Sequence, residues 1–177
     1  AGLGNQTAML NGGFKAWKEE GRAVTQSVTD FREGGIGIKL KGEVRISKNE
    51  VLALLSDEGV VIIDARPEER YYGTSEDNNS ARAGHIPGAV NIPFFWLNLE
   101  DSTHMFKPKN ELRQLFETHK VSSDSMIITY CGTGIWASPL YFAARLLGYK
   151  VRFYDGSFQE WASDESLPIS GTAARMQ

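Results

Sequence analysis

An α/β fold with a central parallel sheet covered by helices is predicted by two observations. Short buried-type runs, Val60-Val61-Ile62-Ile63 and Met126-Ile127-Ile128-Thr129-Tyr130, alternate along the chain with segments of helical periodicity, the order that gives parallel strands joined by crossover helices. Neither run alternates apolar with polar residues, so each suits a strand covered on both faces.

The elements follow in order. Ser47-Lys48-Asn49-Glu50 reads as a capping box ahead of Val51, Leu52, Leu54 and Leu55, so a helix starts there. The first strand ends at Asp64, and a polar loop follows it. His85-Ile86-Pro87-Gly88-Ala89-Val90-Asn91-Ile92-Pro93 reads as a turn entering a short strand. Glu111 to Lys120 places Leu112, Leu115, Phe116 and His119 at helical spacing, and the Met126 to Tyr130 strand comes next. Pro139 to Leu147 predicts a further helix, stopped by Gly148, and Val151-Arg152-Phe153-Tyr154 a last strand.

One motif occurs twice. Asn11-Gly12-Gly13-Phe14-Lys15-Ala16-Trp17 and Asp155-Gly156-Ser157-Phe158-Gln159-Glu160-Trp161 share the pattern Asn/Asp-Gly-x-Phe-x-x-Trp. The second copy closes a domain, so the first is expected to be the tail of a preceding repeat, within residues 1–24. Residues 25–44, with Gly34-Gly35-Ile36-Gly37, show neither period and read as a linker. Residues 45–170 form the main domain, and 171–177 a C-terminal tail.

The composition narrows the function. At 177 residues and 41% hydrophobic content, the chain is expected to build a soluble domain with a real core. A net charge of −3 with no clustered Lys and Arg argues against nucleic acid as a partner. No apolar run approaches the roughly 18 residues of a membrane span, and no membrane association is expected. No signal-peptide pattern opens the chain, so the cytoplasm is the default expectation. Asn-x-Ser/Thr sites at Asn5 and Asn78 carry no weight without a secretory context. A single cysteine, Cys131, excludes an internal disulfide framework and a Cys-rich zinc site.

Cys131 follows directly on the Met126 to Tyr130 strand, where parallel sheets bind their ligands. In Cys131-Gly132-Thr133-Gly134-Ile135-Trp136, two glycines let the backbone curl so that successive N–H groups point inward at the start of the next helix. Such a cradle favours a thiolate over a thiol. The alternative, a small buried structural cysteine, is the commoner fate of an isolated Cys.

Asp64-Ala65-Arg66, Arg70-Tyr71-Tyr72-Gly73-Thr74, the Gly84 to Pro93 segment, the Cys131 loop and the Asp155 to Trp161 segment occur in this order and spacing over about residues 45 to 170. The series resembles rhodanese-like domains, and among them the catalytic second domain of a tandem sulfurtransferase. The resemblance implies a three-layer fold, with helices on both faces of a mostly parallel sheet. It also implies a two-step transfer in which Cys131 takes the outer sulfur of a small anionic donor, thiosulfate or 3-mercaptopyruvate. The resulting persulfide then hands the sulfur to a thiol or cyanide acceptor. Gly132, Thr133, Gly134, Ile135 and Trp136 match the loop that steadies the persulfide through its N–H groups. Arg70 matches the arginine that binds the donor, and Arg82 is a second candidate for that role. Asp64 and His85 match structural positions. No cofactor or metal is implied, and an upstream rhodanese-like domain is the implied partner in a longer protein.

The loop departs from the thiosulfate-preferring pattern in carrying no Lys or Arg. Cys-Gly-Thr-Gly is closer to the Cys-Gly-Ser-Gly of mercaptopyruvate sulfurtransferases, with Thr133 standing in for the serine whose hydroxyl handles the donor. Trp136 replaces a smaller or basic residue and is expected either to narrow the pocket or to pack outside it. Cysteine phosphatases of similar fold end their loop in an arginine, but the sixth residue beyond Cys131 is Ala137, which removes the main electrostatic stabiliser of phosphate chemistry. A rhodanese-like module kept for binding or regulation usually lacks the cysteine, and a redox sensor would benefit from a resolving cysteine.

Overall fold

A computed structural model describes residues 7–30, 34, 35, 37, 42–75, 80–100 and 102–171. Its elements are α1 (Gly13–Glu19), α2 (Lys48–Ala53), β1 (Val60–Asp64), α3 (Glu68–Tyr72), β2 (Val90–Asn91), β3 (Asn98–Leu99) and β4 (Ser102–Phe106). They continue with α4 (Lys109–Thr118), β5 (Met126–Tyr130), α5 (Ala137–Leu147), β6 (Lys150–Phe153) and α6 (Ser157–Ser163). A 3₁₀ turn, Phe94–Leu97, lies between β2 and β3. No described helix is long and apolar enough to cross a membrane. Asn5 and Asn78 lie outside the described residues.

The chain divides into two compact units, one drawn from residues 1–42 and 98–106, the other from 43–97 and 107–177. In the smaller unit, β3 and β4 pair antiparallel. The β4 segment is tied to the first motif copy: the Phe106 N–H donates to Asn11 Oδ1 at 2.9 Å, and His104 Nε2 lies 3.0 Å from Glu19 Oε2. Residues 98–106, which sequence reading assigns to the main domain, therefore pack with α1.

The larger unit holds a sheet of order β2-β1-β5-β6, parallel throughout. Val44 and Ile46 extend it, since the Phe153 N–H donates to the Val44 carbonyl at 2.7 Å and the Ile46 N–H to the Phe153 carbonyl at 3.1 Å. On one face Ile62, Ile128 and Tyr130 join a core with Val51 of α2 and Phe158, Trp161 and Ala162 of α6. The alternate residues Ile63, Ile127 and Thr129 are equally buried, and α5 packs on β5 and β6. Both faces are covered, as the uninterrupted apolar runs require.

Local chemistry explains the boundaries. Ser47 Oγ accepts the Glu50 N–H and the Glu50 carboxylate accepts the Ser47 N–H, so the predicted capping box is present. Helix α5 begins two residues before Pro139, because proline within the first helical turn costs no intrahelical bond. It ends at Gly148 with φ 93°. Helix α3 was not anticipated; five residues led by two glutamates carry no apolar period.

From β1 the chain crosses to β2 on one side, and from β2 it returns to β5 on the other. The carboxyl ends of β1 and β5, where Asp64 and Tyr130 are register partners, therefore flank the topological switch point. A buried ion pair braces that point. Arg66 Nη2 lies 2.6 Å from Asp64 Oδ2 and donates to the Gly84 carbonyl at 2.7 Å, while Arg66 Nε is 3.0 Å from both Asp64 oxygens. Both side chains are out of contact with solvent, and the guanidinium lies 4.0 Å from the Phe158 ring centroid.

Two predictions follow from these contacts. Asp64→Ala strands a buried guanidinium and is expected to cost about 3–5 kcal/mol in denaturant unfolding, against a near-neutral change for an exposed acid such as Glu58→Ala. Glu50 is held down to about 2 by its hydrogen bonds to Ser47, then by Arg152, and Asp164 to about 2 by Lys48, then by Ser166. Folded values below the unfolded ones mean stability present above the ordinary carboxylate range and lost as pH falls toward 2. The unfolding free-energy gap between wild type and Glu50→Gln should be full near pH ~6 and close on approach to pH ~2. A gap independent of pH would refute the assignment.

Candidate functional site

Cys131 is buried at the end of β5, and the peptides around it are pinned from behind. The Tyr130 carbonyl accepts the Ala65 N–H at 2.9 Å, and the Cys131 N–H donates to Ser157 Oγ at 3.2 Å. The Cys131 and Gly132 carbonyls accept the Phe158 and Gln159 N–H groups at 2.9 and 3.0 Å. A trans peptide sets its N–H opposite its carbonyl. With two carbonyls held toward α6, the Gly132 and Thr133 N–H groups turn away from α6, to the other side of the loop.

The loop closes on the sulfur itself: the Gly134 N–H donates to Cys131 Sγ at 3.1 Å. Gly134 has φ 91°, and a side chain there would meet the Asp155 carbonyl at 3.2 Å and Phe153 at 3.5 Å. Thr133 and Ile135 are exposed on the outside of the turn. Thr133 lines a groove of about 560 Å³ with Arg45, Lys48, Asn49, Tyr154 and Glu160.

Arg70, carried by α3, reaches the far end of the same loop. Its guanidinium carbon lies 5.1 Å from the Trp136 ring centroid, and Trp136 stacks on Phe94 at 5.1 Å with 14° between the ring planes. Trp136 thus forms part of an aromatic support on which Arg70 rests. Arg70 thus meets the Cys131 loop at Trp136, whereas Thr133 faces a groove whose lining includes neither Arg70 nor Cys131.

Arg82 is placed elsewhere. Its guanidinium donates to the carbonyls of Trp161, Ala162, Asp164 and Leu167 at 2.5–3.3 Å, so it ties down the end of α6 and the turn beyond it. A fork engaged by four carbonyls is a strut for the backbone, a placement that argues against the donor-binding part expected of Arg82. Asp64 is consumed by Arg66. His85 stacks on Tyr71 at 3.7 Å and donates Nδ1–H to the Tyr71 carbonyl at 2.7 Å; burial draws its imidazole below the ordinary value.

Two residues with evident work here were not singled out from the sequence. Arg66 enters there only within the Asp64-Ala65-Arg66 start, although its two-residue spacing from Asp64 puts both side chains on one face. Ser157 is fully buried with φ 55°, a left-handed conformation costing an L-residue roughly 1–2 kcal/mol. The motif repeat held a clue to it: the matching residue of the first copy is Gly13, at φ 58°.

Residues 47–164 match the rhodanese-like domain family. The chain is 34% identical over 174 residues to the sulfur carrier protein TtuD of Thermus thermophilus, covering 92% of this chain and 60% of that protein. It is 31% identical to the 3-mercaptopyruvate sulfurtransferase of Escherichia coli, covering 93% of this chain and 58% of that one. It is 34% identical to the thiosulfate sulfurtransferase of Gallus gallus, covering 88% and 53%. The chain thus spans between 53% and 60% of the length of these relatives.

Among solved structures, the anaerobic ergothioneine biosynthesis enzyme of Chlorobium limicola, in complex with trimethyl histidine, matches with a TM-score of 0.80 and 26% identity. That match covers 92% of this chain and 40% of the other. EanB with ergothioneine covalently linked to its persulfide cysteine matches with a TM-score of 0.80 and 25% identity, over 92% of this chain and 40% of that one. On the family match, and on a parallel sheet with Cys131 at its switch point, the chain belongs to the rhodanese-like domain family.

Proposed function

We propose that this chain is a sulfurtransferase domain that moves a sulfane sulfur from a small anionic donor, thiosulfate or 3-mercaptopyruvate, to a thiophilic acceptor through a persulfide on Cys131. The observation that carries this reading is the 3.1 Å hydrogen bond from the Gly134 N–H to Cys131 Sγ, inside a loop whose next peptides are turned by α6. Relatives named for sulfur transfer and sulfur carriage support it.

In the first step the Cys131 thiolate attacks the outer sulfur of the donor. With thiosulfate, the new S–S bond forms as the donor's S–S bond breaks, and the electron pair leaves on sulfite. With 3-mercaptopyruvate, the C–S bond breaks, and the carbon fragment takes a proton from water to become pyruvate. In the second step a nucleophile attacks the outer persulfide sulfur and Cys131 departs as the thiolate; cyanide leaves as thiocyanate. The N–H groups of Gly132 to Trp136 stabilise negative charge on sulfur in both steps, needing no reorganisation because the backbone is already pinned.

Arg70 supplies the cation that the loop lacks. A guanidinium offers paired donors to a sulfonate or carboxylate, and Thr133, exposed on the same loop, offers the donor a hydroxyl.

Incubation with either donor, followed by intact mass measurement and thiocyanate release to cyanide, tests the reading. Wild type is expected to gain one sulfur on Cys131 and to turn over, and Cys131→Ser to do neither. An unmodified thiol with both donors sinks the proposal for this chain and favours a binding module of the same fold. The two arginines separate cleanly. Arg70→Ala is expected to raise KM for the donor by roughly tenfold or more, the effect of losing charge-assisted hydrogen bonds worth ~1.5–3 kcal/mol. Arg82→Ala should leave KM alone while lowering unfolding stability by a similar ~1.5–3 kcal/mol. Equal KM effects would place both side chains at the donor.

A further inference from the structure

Ser157 adopts a backbone conformation that disfavours every residue but glycine, and the duplicated motif shows that the local fold needs no side chain there. Gly13 holds the same place in the first copy, at φ 58° against 55° for Ser157, and both copies start a seven-residue helix at that residue. The two copies also share their tryptophan bond: Trp17 Nε1 donates to the Ala23 carbonyl at 2.9 Å, and Trp161 Nε1 to the Pro168 carbonyl at 2.8 Å. A serine kept at a glycine position is a strained residue whose side chain must return something.

What it returns is directed at Cys131. Ser157 Oγ donates to the Tyr154 carbonyl at 3.0 Å, which commits its single proton and leaves a lone pair to accept the Cys131 N–H at 3.2 Å. Tyr154 is itself fixed to the sheet, its N–H donating to the Thr129 carbonyl at 3.0 Å. A continuous link thus runs from β5 through Tyr154 and the serine hydroxyl back to Cys131, the residue that follows β5.

We propose that Ser157 is a positioning residue for sulfur transfer: its hydroxyl holds the Cys131 N–H toward α6, fixing the entry to the loop from which the following peptides present their N–H groups to the sulfur. The proposal rests on Cys131 being the sulfur-carrying nucleophile. Without the hydroxyl, the Cys131 N–H has no partner in a buried setting, and a peptide held only by the Ala65 N–H on its carbonyl tilts and disturbs the cradle. The Phe158 and Gln159 bonds to the loop carbonyls come from the α6 backbone and survive the change.

Alkylation of Cys131 by iodoacetamide, followed across pH in wild type, Ser157→Gly and Ser157→Ala, provides the test. In Ser157→Gly the rate at neutral pH is expected to fall about tenfold, as misplacement of a reacting group does. Its thermal midpoint should stay within about 5 °C of wild type, because the glycine relieves the left-handed conformation while the hydroxyl bonds are lost. Ser157→Ala should lose reactivity equally and unfold at a lower temperature than Ser157→Gly, since alanine retains the conformational cost. Wild-type alkylation across pH in either folded variant overturns the proposal. The alkylation assay needs no sulfur donor, so failure of wild type to take sulfur from thiosulfate or 3-mercaptopyruvate would count against the transferase reading and be told apart from failure here.

Discussion

A fully charged guanidinium in the protein interior is tolerable only where its partners are complete, and the position of Arg66 sets conditions on much of the larger unit. Its carboxylate partner must sit at the end of β1, its carbonyl partner must come from Gly84, and an aromatic face from Phe158 must close over it. Three segments remote in sequence therefore converge beside the end of β5. Replacing such a pair by apolar residues often costs little, so its worth lies in fixing one arrangement. Phe158 is also the residue whose N–H holds the Cys131 carbonyl. The brace behind the site and the peptide geometry of the site share a side chain and a backbone group of one residue.

From that brace the chemistry follows through peptide planes. A Cys loop can present N–H groups to sulfur only if its carbonyls are satisfied elsewhere, because each peptide carries both. The first turn of α6 has N–H groups with no intrahelical partner and gives them to the Cys131 and Gly132 carbonyls. The two unsatisfied sets cancel. The Asp-Gly-Ser-Phe segment and the Cys loop are thus halves of one device, although 26 residues separate Cys131 from Ser157.

The strands, the capping box and the place of Cys131 were legible because each depends on local pattern. Val60 to Asp64 and Met126 to Tyr130 are apolar runs bounded by turns, and Ser47 to Glu50 closes a hydrogen-bonded ring within four residues. Helix α3 and the β3–β4 pair were not legible, since neither has a clean period and both are held by tertiary partners, Asn11 and Glu19 in the case of β4. Arg70 and Arg82 look alike in sequence, as loop cations after a strand. What separates them is where the guanidinium ends, over an indole in one case and among four carbonyls in the other. Such endpoints depend on the path of other segments, which no spacing rule contains.

Trp136 and Arg70 are best understood together. With the anionic donor proposed above, a loop without Lys or Arg obtains positive potential from outside, and an arginine on a short helix has many rotamers to lose in providing it. An indole beneath the guanidinium restricts those rotamers through contact with the face of the group. The stack of Trp136 on Phe94 holds the indole in turn. The indole at the end of the loop thus holds the guanidinium of α3 beside a loop that carries no Lys or Arg of its own.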